Sequence, residues 1–410
     1  MNYSSYEASL LSTPYSKQDA YRSLSIPVYN TAAFEFETAA DMEAAFCGHN
    51  QEHVYSRITN PTVQYFEDRV KAITGAPEAT ALNSGMAAIC NTILLLAYNG
   101  ANIVTTRHLF GNTFSFLANT LKPYGVEVRF CDVTDVEDVN RNIDQNTCAV
   151  FLEIISNPQM EVADLKALSR ITREKNVPLI ADTTIIPFSV FRAADFGVNI
   201  EIVSSTKYVS GGATSLGGLI IDHDNFDWHH TPKLKDWAEQ FGNAAFRVKL
   251  RKEIHRNLGA YMTPQTAYMQ SLGLETLNLR YEKQSSSCCK LAAKLQELPQ
   301  IESVNYPGLK DNPYYDISKE QFGLNPGAML TFDMASKKES FDLIDRVKLI
   351  RRATNLFDNK SLIIHPATTI FGTFSPAQRD EMNISDKTIR LSVGLEEVED
   401  LFEDIQQAIG

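Results

Sequence analysis

Several things are scarce in this chain of 410 residues. Its six cysteines, at positions 47, 90, 131, 148, 288 and 289, form no CxxC pair and show no regular spacing. That excludes a recognisable disulfide framework and a thiolate metal centre, and no metal is expected. Cys288 and Cys289 fall in a helical-looking stretch where a vicinal disulfide is strained, so all six are read as reduced thiols. Basic charge is also short. Lys and Arg number 38 against 50 Asp and Glu, a net charge of −12, the reverse of the basic face a nucleic acid requires, so no such partner is expected. Long apolar runs are missing too: the most apolar, Ile93 to Ala97, is far too short to span a bilayer, which argues against a membrane partner. The opening MNYSSYEASLLSTPYSKQDAYRSL has no apolar core, so it does not read as a signal peptide, and a cytoplasmic location is expected. There is no internal repeat, low-complexity tract, or appended helix-turn-helix.

What remains is an ordinary globular composition, 44% hydrophobic and 21% charged, long enough for a large domain and a smaller one. Residues 1–60 are irregular, with scattered Tyr21, Tyr29, Phe34 and Phe36. Such a segment cannot build its own core and is expected to lie as an arm over another surface, that of a neighbouring subunit. From about 60 to 222 the pattern alternates, within a domain expected over 61–258. Helix candidates run over 83–98, 113–124 and 164–176, and strand candidates over 101–105, 126–131, 148–153, 178–181 and 200–203. This βα rhythm predicts an α/β domain with a mostly parallel sheet, whose ligands bind beyond the carboxyl ends of the strands. From 259 to 410 the texture changes to a long helical stretch (265–298), strand candidates near 304–306, 328–332, 361–365 and 389–393, and a final helix from Glu397. That predicts a smaller α+β domain.

The distinctive polar residues fall at the strand ends. Ser204-Ser205-Thr206-Lys207 closes the strand 200–203 and precedes Gly211-Gly212. Hydroxyls there suit a phosphate, while the lysine amine suits an imine with a carbonyl cofactor. Asp182 ends the strand LIAD. A carboxylate so placed can keep a pyridine nitrogen protonated and make the ring an electron sink, although alone it would read as a helix cap. Ser84-Gly85-Met86 opens a helix rich in small residues, where backbone N–H groups and a glycine let a phosphate approach closely. Phe110 suits stacking on a ring, Asn157 suits a bond to a phenolic oxygen, and Arg390 suits a two-pronged bond to an α-carboxylate. Each has a bland reading; their order around one alternating sheet gives them weight together.

These residues resemble the trans-sulfuration, or Cys/Met-metabolism, family of pyridoxal-phosphate enzymes, from about Ile26 to the C-terminus. The segment Ile26-Pro27-Val28-Tyr29-Asn30-Thr31 looks like the family's opening. Tyr55-Ser56-Arg57 with Asn60-Pro61-Thr62 looks like its YSR–NPT motif, Ser204, Thr206 and Lys207 like its S-x-T-K, and Arg390-Leu391-Ser392-Val393-Gly394-Leu395-Glu396 like its closing motif. The resemblance implies fold type I and pyridoxal 5'-phosphate as cofactor. It implies a catalytic dimer, usually doubled to a homotetramer, in which Tyr55 and Arg57 reach the neighbour's phosphate. Thr184 joins the expected cofactor set. Asn355, in the stretch NLFDNKSLIIHP, stands where the family's lyases usually carry serine and is similar to O-acetylhomoserine sulfhydrylases; it is expected on the substrate side with Arg390. Two departures from that subgroup, Phe357 for glycine and Phe371 for histidine, are expected to line the substrate side as well. Lys207, Tyr55 and Asp182 form the implied catalytic set. The implied reaction is γ-replacement on an O-acyl-homoserine by sulfide or a thiol, with methionine or cystathionine elimination as the alternative.

Overall fold

A computed structural model describes residues 5–15 and 19–410. Seven strands form the larger sheet: β1 (Glu78–Leu82), β2 (Asn102–Thr105), β3 (Glu127–Phe130), β4 (Thr147–Glu153), β5 (Leu179–Asp182), β6 (Ile200–Val203) and β7 (Gly218–Asp222). Their order is β1-β7-β6-β5-β4-β2-β3. The run from β3 to β6 is parallel throughout, and β7 pairs antiparallel with both β6 and β1. The central strands are buried on both faces, as parallel sheets require. Alternation along β4 sends Val150 and Leu152 to one apolar core and Ala149 and Phe151 to the other.

The helices start where their sequences say they should. Ser84 accepts from Ala87 N at 3.1 Å to cap Gly85–Leu96, and Asp164 accepts from Ala167 N at 2.9 Å to cap Leu165–Glu174. Asn60 caps Pro61–Thr74, with proline at the first turn where no N–H is needed. This cap also holds the arm: Asn60 donates to Tyr29 O (2.9 Å) and Thr62 Oγ1 to Pro27 O (2.8 Å). Two expected helices are broken. Residues 113–124 pass from α (Gly111–Ser115) to a wide π turn (Phe116–Thr120) and a 3-10 turn at Lys122–Tyr124, because Pro123 has no N–H to continue an α-helix. The stretch 265–298 is two helices, Pro264–Glu275 and Leu277–Leu295, separated at Thr276.

The arm is not wholly irregular and does not lie wholly elsewhere. It forms helices Tyr6–Leu11 and Ala39–Cys47, and the first packs on its own chain: Leu10 is fully buried and Tyr6 Oη donates to Leu274 O at 2.8 Å. The smaller sheet has the order β10-β11-β12-β9-β8, formed by β8 (Ile301–Asn305), β9 (Met329–Met334), β10 (Arg351–Arg352), β11 (Leu362–Ile364) and β12 (Thr388–Ser392). On β12, Ile389 and Leu391 enter the core, which turns Arg390 to the opposite face. No helix among the described residues is long and apolar enough to cross a membrane.

Candidate active site

A cavity of about 890 Å³ opens beyond the carboxyl ends of the larger sheet's strands, closed on its far side by the smaller sheet. Asp182 ends β5, and Glu153 ends the adjacent β4 in register with it. Ser204, Thr206 and Lys207 follow β6, Phe110 follows β2, and Asn157 follows β4; all line the cavity, as does Thr184. Ser84, Gly85 and Met86 present the start of the Gly85–Leu96 helix to the same space. Glycine is required at 85, since a Cβ there would lie 2.7 Å from Ser204 Cβ. From the smaller domain come Arg390, on β12, and Asn355, in the loop between β10 and β11.

Local bonds fix these groups. Ser204 N donates to Thr184 Oγ1 (2.8 Å), Thr184 N to Asp182 Oδ1 (2.9 Å), and Gly217 N to Thr206 Oγ1 (3.0 Å). Phe110 N donates to Glu153 Oε1 at 2.7 Å, which sets the ring's attachment. Lys207 Nζ donates to Asn355 Oδ1 at 2.8 Å. Arg390 donates to Asn157 Oδ1 (3.2 Å) and Thr354 O (3.1 Å) and has no salt-bridging carboxylate among the described residues. The Asn157–Pro158 peptide bond is cis.

Burial dominates the electrostatics of the site. Burial, followed by the charge of Arg390, pulls the Lys207 amine down to about 8. Burial raises Asp182 against the hydrogen bonds from Thr184, and burial followed by the charge of Asp182 raises Glu153 well above the usual carboxylate range. Burial alone lowers Arg390. A half-buried carboxylate, a buried guanidinium and a desolvated amine lining one cavity form a set that could hold pyridoxal phosphate and an amino-acid substrate. In that cavity Asp182 could meet the ring nitrogen, Lys207 the aldehyde and Arg390 an α-carboxylate, while the Ser84–Met86 helix start with Ser204 and Thr206 could hold the phosphate. Among the described residues no cluster of three His, Cys, Asp or Glu is placed to hold a metal ion.

Two expected residues stand apart. Tyr55 and Arg57 do not line this chain's cavity: Tyr55 is 42% exposed, with the Arg57 guanidinium over its ring, and Arg57 Nη1 donates to Arg256 O at 2.5 Å. Phe371 is a correction. It is fully buried against Phe374 in the core, and its neighbours Thr369 and Ile370 line the cavity instead. Phe357 does border the cavity, but its ring is buried against Tyr208. Glu153 was not singled out by sequence reasoning. Its signal was a charged residue ending a buried strand beside another strand that also ends in a carboxylate.

Comparison with known proteins identifies the family and the fold. The family model described as Cys/Met metabolism PLP-dependent enzyme matches residues 7–410. An O-acetyl-L-homoserine sulfhydrylase of Thermus thermophilus is 36% identical, with 98% of this chain and 99% of that protein covered. A Campylobacter jejuni structure described as an O-acetylhomoserine (thiol)-lyase carries a pyridoxyl-lysine monophosphate. It superposes with a TM-score of 0.91 at 33% identity, covering 99% of both chains. An O-acetylhomoserine sulfhydrylase from the methionine biosynthetic pathway of Wolinella succinogenes is 47% identical, with a TM-score of 0.78, covering 87% of this chain and 99% of that one.

Proposed function

The chain belongs to the Cys/Met-metabolism family of pyridoxal-phosphate-dependent enzymes, and from that premise we propose that it is an O-acetylhomoserine sulfhydrylase. It would replace the γ-acetoxy group of O-acetylhomoserine with sulfide or a thiol, releasing acetate and giving homocysteine or its thioether. The observation that carries this reading is the 2.8 Å contact between Lys207 Nζ and Asn355 Oδ1, in a cavity bounded by Asp182 and Arg390. The relatives named for that activity support it. So does the charge of the wall: among the described residues Lys207 and Arg390 are its only cations, and both have a task, leaving none for the second carboxylate of a succinyl ester.

Arg390 orients the substrate by its α-carboxylate, and Asn157 and Thr354 hold the guanidinium in plane. Bound pyridoxal phosphate supplies an electron sink for the bond broken at Cα. Asp182 keeps the ring nitrogen protonated. Lys207, once displaced from the cofactor, takes the proton from Cα, hands it on, and then takes one from Cβ; acetate leaves Cγ, the sulfur nucleophile enters there, and protons are returned to Cβ and then Cα through the same amine. An amine brought down to about 8 is suited to move both protons. Phe110 keeps the cofactor ring stacked but offers no phenol, so Lys207 does most of the proton work, assisted by Tyr55 of a second subunit.

That assistance requires a dimer with shared sites. Its support is that Tyr55, exposed, and Arg57, half-buried, both lie outside their own cavity. We propose such dimers paired into a homotetramer, a cytoplasmic location consistent with six unpaired cysteines, and a division into arm (1–60), cofactor domain (61–258) and C-terminal domain (259–410) that follows the two sheets. The deciding experiment is product analysis with O-acetyl- and O-succinylhomoserine, each with and without sulfide. Homocysteine from the acetyl ester, dependent on sulfide, is the expected result. Release of α-ketobutyrate from methionine without added thiol would assign the chain to elimination instead.

A further inference from the structure

Phe357 joins the two loops that carry the reacting lysine and its amide partner. Its φ is +53°, a conformation that a side chain with a Cβ disfavours, yet its ring is fully buried. The ring lies parallel to that of Tyr208, with centroids 4.3 Å apart and planes 7° from parallel, and Tyr281 meets Tyr208 edge-on at 5.4 Å. Tyr208 directly follows Lys207. On the other side, Phe357 N donates to Ser392 Oγ at 2.7 Å, two residues along β12 from Arg390. Two residues before Phe357, Asn355 reaches Lys207, with its amide turned by Asp358 Oδ2 at 3.3 Å; Thr354 O receives Arg390. The far end of this segment is tied separately, by Asn359 N to Gly211 O at 2.8 Å.

We propose that Phe357 is a positioning residue for the catalytic lysine: its ring, clamped on Tyr208, holds segment 354–358 so that Asn355 meets the Lys207 amine and Thr354 meets Arg390. A bulky residue with left-handed backbone geometry persists only where its surroundings over-determine it, and here the surroundings are the stacked rings and the Ser392 bond. Without the ring, the segment keeps its backbone ties at Phe357 N and Asn359 N but loses its clamp on Tyr208, the residue next to Lys207. The proposal rests on Lys207 being the lysine that binds the cofactor.

The test begins by reducing wild-type holoenzyme with borohydride and mapping the pyridoxyl peptide. An adduct anywhere but Lys207 would sink the functional reading itself. With the adduct at Lys207, the pH midpoint of the visible cofactor band is measured in Phe357→Leu, Phe357→Gly, Tyr208→Leu and Asn355→Ala, and in each of the first three combined with Asn355→Ala. The Phe357 and Tyr208 variants are expected to move the midpoint in the same direction as Asn355→Ala, by about half a unit or more, and to lower kcat about tenfold with a smaller change in KM. Added to Asn355→Ala they are expected to move it no further, because they act through the same contact. A wild-type midpoint in variants that still bind cofactor overturns the proposal, as do shifts that add to that of Asn355→Ala. Phe357→Gly removes both ring and strain, so a wild-type midpoint there would mean that backbone geometry alone sets the loop. If one aromatic partner does not tolerate leucine, the variant of the other reads the same clamp.

Discussion

Glu153 and Asp182 end neighbouring parallel strands as register partners, two half-buried carboxyl groups side by side on the wall of one cavity. Two carboxylates so close in a low-dielectric setting do not both ionise. Asp182 accepts from Thr184 N and feels the Lys207 charge, whereas Glu153 accepts from Phe110 N and faces the charge of Asp182. Burial and the charge of Asp182 raise Glu153 further, so Glu153 is the member expected to keep the proton and Asp182 the one to ionise when a cation comes to it. The pair thus divides into an acceptor for the cofactor's ring nitrogen and a neutral support for the residue that covers the ring.

Replacing Asp182 with asparagine tests the first role, with opposite signs in the two forms of the protein. With cofactor bound, the ring nitrogen loses its counter-ion, and turnover is expected to fall by about 10³-fold. In the cofactor-free protein the same change is expected to stabilise. A carboxyl group whose folded pKa is raised binds more protons folded than unfolded, so its cost to stability is absent below the unfolded pKa of about 4 and grows as pH rises toward the folded value. Thermal melts near neutral pH should therefore rank the cofactor-free variant above wild type and the loaded variant below it. A cofactor-free variant that melts lower would contradict the account of Asp182 as an uncompensated buried charge.

Cofactor loading should report the Lys207 amine directly. Only the neutral amine attacks an aldehyde, and its pKa lies at about 8. The rate of holoenzyme formation, followed by absorbance, is then expected to climb about tenfold per pH unit below that value and to level off above it. A rate still climbing at pH 10 would mean that the amine is not desolvated. Lys207→Ala should bind no reducible cofactor and turn over no substrate.

Shared sites predict complementation between two inactive chains. Lys207→Ala removes the amine from its own cavity, and Arg57→Ala removes a guanidinium that lies outside it. Randomly paired dimers are half mixed, and each mixed dimer keeps one intact site, so co-expression is expected to restore about a quarter of wild-type activity. Mixed preparations that stay inactive, with dimers verified by mass, would remove Arg57 from the neighbour's site.

Much of this site was legible in the sequence because the chemistry sits at strand ends. The patterns VFLE, LIAD and IEIV locate β4, β5 and β6, and the parallel topology then brings Asn157, Asp182 and Lys207 to one edge. Other features were hidden for physical reasons. β7 returns antiparallel after a loop rather than a helix, so the βα rhythm does not reveal it. β1, Glu78–Leu82, carries small residues that resemble no particular period. Phe371 was misplaced because a position along a loop does not say which way the side chain turns: Phe114, Phe374 and Phe371 pack together, and that tertiary contact takes the ring inward. The Tyr208–Phe357 stack spans two domains' worth of sequence, and no local signal encodes it.

Glu153 supplies the final prediction, since its proposed state is unusual enough to be tested on its own. If it is neutral, Glu153→Gln keeps an acceptor for Phe110 N and loses no charge, so cofactor content is expected to be unchanged and turnover to stay within about threefold of wild type. Glu153→Ala deletes the acceptor, leaves a buried N–H unpaired and frees the ring of Phe110; cofactor affinity is expected to fall about tenfold or more. Stability supplies the sign. The folded state holds a proton on this carboxyl above the pH at which the unfolded chain releases it, so wild type loses stability as pH rises from about 4 toward the raised folded value. The glutamine variant has no such slope, and its melting temperature should gain on wild type through that interval. Parallel melting curves across that pH range, or a glutamine variant that loses its cofactor, would show that Glu153 is ionised in the folded protein and that the proton has been assigned to the wrong member of the pair.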